Sequence, residues 1–75
     1  MLSDQINKAR QKAFFSQTAF AKELGVAYST INRWETGKSR PNLSAMRAIK
    51  GFCEKNNISY SEIEREWFEY SQEGK

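Results

Sequence analysis

Histidine is absent from these 75 residues, and cysteine and proline occur once each. Without histidine, and with a single cysteine, one chain cannot assemble a zinc site of the usual composition. The commonest general base of enzyme catalysis is missing with it. Cys53 on its own permits no internal disulfide, which fits a reducing, cytoplasmic location. It stands in the apolar cluster Ile49, Phe52, Cys53 with no base beside it, so it is expected to be buried as a small hydrophobe. No apolar run approaches the ~18 residues that a membrane span needs. The opening stretch MLSDQINKAR is polar and amphipathic, unlike a secretion signal. Alternating runs rich in Val, Ile and Thr are lacking as well, which argues against strands. The expectation is an all-α chain with no metal, no cofactor and no membrane segment, too short for a separate small-molecule ligand domain, and not an enzyme.

What is present suffices for one small domain. Hydrophobic residues make up 39% and aromatics 13%, enough to bury a core. The domain is expected over residues 1–71, with residues 72–75 fraying. Charge is unevenly placed. Residues 1–40 carry seven Lys/Arg against three Asp/Glu, a net of +4, whereas residues 41–75 carry five against six, a net of −1. A polyanion would dock on the first half. Six of the nine acids fall in the last 22 positions, at helical spacing, and read as a solvated face rather than as catalytic carboxylates.

The apolar periodicity predicts five helices. The first covers about Ser3 to Ala13, with Leu2, Ile6, Ala9 and Ala13 on one face. The second follows Ser16, a good N-cap, carries the stripe Phe20, Ala21, Leu24, and stops at Gly25. The gap before the third helix is so short that it suits a helix-turn-helix, with Val26 tucked inward. The third helix runs from Ala27 or Tyr28 to Glu35. Ala27, Ile31 and Trp34 gather on one side; Tyr28, Ser29, Asn32, Arg33 and Thr36 gather on the other within about 140°. Gly37 ends it. After the polar loop Lys38-Ser39-Arg40, Pro41-Asn42 opens the fourth helix, whose expected inner face is Leu43, Met46, Ile49, Phe52 and Cys53. Beyond Asn56-Asn57, Ile58 plugs the core and Ser59 or Ser61 caps a fifth helix carrying Tyr60, Ile63, Trp67 and Tyr70.

The stretch SQTAFAKELGVAYSTINRWETGKSRPN resembles the phage repressor/Cro type of helix-turn-helix, often called Xre-like. The resemblance rests on Ser16-Gln17, Ala21, Leu24-Gly25-Val26, Ile31, Trp34, Glu35-Thr36-Gly37-Lys38 and Pro41, and spans roughly residues 4 to 67. It departs at Phe14-Phe15, where the family usually has glycine, and at Ala27, where Ser or Thr commonly caps the third helix. The resemblance implies a five-helix, lambda-repressor-like, all-α fold and sequence-specific binding of double-stranded DNA, as in a small bacterial or phage repressor. A helical interaction module, such as an antitoxin or the DNA-tethering part of a larger assembly, would keep the same fold.

The chemistry of the third helix agrees with that implication. Arg33 can grip guanine O6/N7 and Asn32 adenine N6/N7, each with two hydrogen bonds. Ser29 can pair with several bases, and Tyr28 can touch a thymine methyl or a phosphate. By the resemblance, Gln17 bonds a backbone phosphate at the start of the second helix, and Lys38, Ser39 and Arg40 do so from the loop. The resemblance also makes Arg10 and Glu35 a structural ion pair. One recognition helix reads few base pairs, so a homodimer on a palindrome is expected. Phe68 and Tyr70, aromatics expected to stay exposed, place its interface on the fifth helix.

Overall fold

Five α-helices follow one another: α1 (Leu2–Lys12), α2 (Gln17–Leu24), α3 (Tyr28–Glu35), α4 (Leu43–Lys55) and α5 (Ser61–Glu73). The computed structural model describes residues 1–73, with side chains described through Tyr70. The expected fray at residues 72–75 falls at that edge: the backbone of 72–73 continues α5, and 74–75 lie outside the described residues. No strand occurs among the described residues, and none of their helices is long and apolar enough to cross a membrane.

The first four helices end in one way. The chain turns left-handed at Phe14 (φ 61), Gly25 (φ 73), Gly37 (φ 79) and Asn57 (φ 60). The next N–H then donates to the carbonyl five residues back, from Phe15 to Arg10 (3.2 Å), Val26 to Ala21 (3.0 Å), Lys38 to Arg33 (2.9 Å) and Ile58 to Cys53 (2.7 Å). Glycine and asparagine accept this conformation readily. A phenylalanine does so at a cost of about 1–2 kcal/mol. Two helix starts use side-chain caps: Ser16 Oγ accepts from the Ala19 N–H at 3.0 Å and Asn42 Oδ1 from the Ala45 N–H at 2.8 Å.

The core takes a few side chains from every helix. Ile6, Phe20, Ile31, Ile49, Cys53 and Ile63 are fully buried, with Trp34, Phe52 and Trp67 nearly so. Phe15 and Phe20 meet the Phe52 ring edge-on, with centroids 5.1 and 4.8 Å away. α2 packs on α3 and α4, while α1 packs on α3 and α5. Burial, reinforced by the Glu54 charge, pushes the Cys53 thiol up to about 11, which leaves it protonated and unreactive.

Several expectations shift. α1 begins and ends one residue earlier than its apolar spacing suggested. Ala27 is exposed rather than inward, because it precedes α3 in an extended conformation (φ −74, ψ 152) where helical periodicity does not apply. Leu43 is 66% exposed and Ala45 takes its buried place. On a 100° wheel, Leu43 stands about 120° from the centre of the arc Ala45, Met46, Ile49, Phe52, Cys53. Tyr70, expected outside the packing, is half-buried against the core. α1 lies along α5 and gives Tyr70 a neighbour that its own helix does not reveal. Neither Ser59 nor Ser61 takes the place just before α5. Tyr60 stands there, and its carbonyl accepts the Glu64 N–H at 3.0 Å.

Candidate nucleic-acid interface

Three residues, Gly25 to Ala27, separate α2 from α3. Gly25 reverses the chain, Val26 drops onto the core, and Ala27 leads straight into α3. Ala21 is buried on α2, where a larger side chain would hold the two helices apart. Ile31 and Trp34 then fix the rotation of α3 by burying its inner face. That rotation leaves Tyr28, Ser29, Asn32 and Arg33 exposed together. Among the described residues, no hydrogen bond or ion pair engages these four side chains. A guanidinium, a carboxamide and two hydroxyls on one open helical face can all read base edges. Lys38 is exposed just past the end of α3, and Ser39 beside it is half-buried.

Behind this face lies a dense polar knot. Arg10 Nε donates to Glu35 Oε2 at 2.8 Å and Arg10 Nη2 to Glu35 Oε1 at 3.0 Å, so the pair is bidentate. The two side chains are 13% and 4% exposed. Asn7 Nδ2 and Gln17 Nε2 add donors to Oε1 at 2.8 and 2.9 Å. Arg10 Nη1 also reaches the Phe15 carbonyl at 2.8 Å. Burial pushes the Glu35 carboxyl up, but the hydrogen bonds from Arg10, Asn7 and Gln17, with the Arg10 charge, outweigh it and hold the group below its ordinary value. The knot therefore joins α1, the α1–α2 turn, α2 and the last residue of α3. The expected pair Arg10–Glu35 is found as two of its members.

Two residues have partners other than those expected. The resemblance implies a phosphate contact for Gln17, yet its side chain donates to Glu35. Gln17 opens α2 directly after the Ser16 cap and shares the Glu35 carboxylate with Asn7 and Arg10. The resemblance implies a phosphate contact for Arg40 too. Its guanidinium lies over the Trp67 ring, 4.0 Å from the centroid, and its Nη1 donates to the Trp67 carbonyl at 3.2 Å. Trp67 in turn donates Nε1–H to the Pro41 carbonyl at 2.6 Å. Arg40 thus ties the loop after α3 to α5. Asn7 and Trp67 were the polar contributors that sequence reasoning missed. Asn7 had a signal, since it stands three residues before Arg10 and shares its helical face. The Trp67 contact had none, because its partners lie 26 and 27 positions away.

A short-turn helix pair with an open, polar second helix is a DNA-binding helix-turn-helix domain. The Helix-turn-helix family model matches residues 6–56, more than half of the chain. The chain belongs to this family, in its Xre and lambda-repressor branch of sequence-specific DNA-binding regulators. No curated protein and no solved structure matches the chain.

Proposed function

We propose that this protein is a small transcriptional repressor of bacterial or phage type, acting in the cytoplasm, that binds a palindromic operator as a homodimer. α3 enters the major groove. Arg33 and Asn32 read a guanine and an adenine, while Ser29 and Tyr28 supply neighbouring contacts. Lys38 and Ser39 hold the phosphate backbone. Gln17 joins them through the N–H that Glu35 leaves over, and these contacts set register without reading sequence.

The observation that carries this reading is the open face of α3. Its four polar side chains are exposed and have no partner among the described residues, whereas Arg10 and Arg40, nearby cations, are both engaged. Selection of bound sites from random duplex DNA tests it. The expected product is an inverted repeat, each half holding a guanine and an adenine, with half-site centres about 34–36 Å apart. Recovery of unenriched sequence from the protein would overturn the reading. Enrichment of a single, unrepeated half-site would overturn the dimer alone.

A further inference from the structure

Phe14 is the most exposed large apolar residue described, at 94%, and its backbone is left-handed at φ 61. Lone apolar side chains on a surface need no explanation. A bulky residue at positive φ does. The same helix-ending turn is made by Gly25, Gly37 and Asn57 elsewhere in the chain, residue types that tolerate it. At Phe14 alone the turn holds a ring, and among the described residues that ring has no aromatic or polar partner. Strain without burial gives the folded chain nothing in return.

The backbone that carries the ring is also firmly held. The Phe14 N–H donates to the Gln11 carbonyl at 2.9 Å. The next residue's carbonyl accepts from Arg10, which is locked on Glu35 at the end of α3. Two residues on, Ser16 caps α2 and Gln17 joins the same knot. Phe14 is therefore presented at a fixed place beside the end of α2 that meets the phosphate backbone in the proposed complex. The apolar surface available there is the face of deoxyribose.

We infer that Phe14 is a further DNA-contacting residue, packing its ring on a deoxyribose of the backbone flanking each half-site. This rests on the proposed docking of α3 in the major groove. The contact adds affinity without sequence preference, since every nucleotide carries the same sugar.

Two variants separate ring from backbone. Phe14→Gly relieves the left-handed strain and raises Tm by about 4–8 °C. Phe14→Ala keeps the strain and gains no such rise. Both lose the ring, so both bind selected and random duplex about fivefold more weakly, by equal factors. Hydroxyl-radical footprinting, which reads deoxyribose directly, shows a flanking sugar protected by the unaltered protein and open in both variants. Unchanged affinity and footprint in both variants overturn the contact while leaving DNA binding intact, and assign the ring to another partner. Weakening in the glycine variant alone traces the effect to chain flexibility and overturns it too. A protein whose unaltered form selects no duplex overturns the contact and the DNA-binding reading together.

Discussion

Arg33, Lys38 and Arg40 lie within eight positions of one another and carry the same charge, yet their surroundings assign them different work. Arg33 is exposed on the open face of α3, with no hydrogen-bond or ion-pair partner among the described residues. Its replacement by alanine is expected to leave the fold intact and relax specificity at one base position, at a cost of about 1–3 kcal/mol on the cognate site. Competition binding against single-base variants of the selected site measures this. Equal weakening on every sequence would show a backbone contact instead. Lys38 is expected to behave in that second way. Lys38→Ala weakens binding to all sequences and lowers the slope of log affinity against log salt by about one unit. A salt titration with an unchanged slope would return Lys38 to the solvated surface. Arg40→Ala leaves that slope alone, because the guanidinium is on Trp67. It lowers stability by about 1 kcal/mol through the lost cation–π contact, read as a fall in Tm.

At the scale of elements, the polar knot around Glu35 is what holds α1, α2 and α3 in register, since all three contribute donors or acceptors. Folding depresses the Glu35 carboxyl below its ordinary value of 4.5, so the native state binds its proton more weakly than the unfolded chain. The resulting stabilisation is complete above that ordinary value and disappears as pH falls through the lowered folded value. Glu35→Gln is expected to cost about 3 kcal/mol near neutral pH, because it strands a largely buried Arg10. The same variant flattens the acid limb of a plot of Tm against pH. An acid limb as steep as that of the unaltered chain would place the titrating group elsewhere.

The elements themselves were legible in sequence because each helix carries its own apolar stripe and α2 to α4 carry local start or stop signals. Ser16, Gly25, Gly37 and Asn42 act within a turn of where they stand. The open face of α3 follows from the same local periodicity. What the sequence hid was every partner chosen across the fold: Gln17 on Glu35, Arg40 on Trp67, Tyr70 against α1. A hydrogen-bonding side chain advertises its chemistry but not its partner, and a helical wheel shows one face without showing how many neighbours cover it. The strain at Phe14 was hidden for the opposite reason, since nothing in an apolar residue type announces a positive φ.

For the whole molecule, the corrected surface changes where a second copy would dock. Tyr70 is half-buried against the core, which leaves less of it for an interface, whereas Leu43, expected inside, is 66% exposed. Leu43 and Phe68, itself 58% exposed, flank a cavity of about 210 Å³ between α4 and α5 whose apolar floor includes Met46 and Trp67. Arg47 and Lys50 border it from α4 and Glu64 from α5. In a two-fold pair the same patch meets itself, so each basic α4 edge faces the acidic α5 edge of the other copy. The pair is expected to form chiefly on DNA, where two half-sites bring the copies together. Trp67 also grips the loop that carries Lys38, through Arg40 and Pro41, so docking here would steady the segment proposed to hold phosphates. The test is Leu43→Glu combined with Phe68→Glu. Circular dichroism should show an unchanged helical fold, since both side chains are largely in solvent. Affinity for a single half-site should hold, while binding to the full palindrome loses its cooperativity, about 1–3 kcal/mol of coupling between the two halves. A folded double variant that still binds the palindrome cooperatively would move the interface away from α4 and α5.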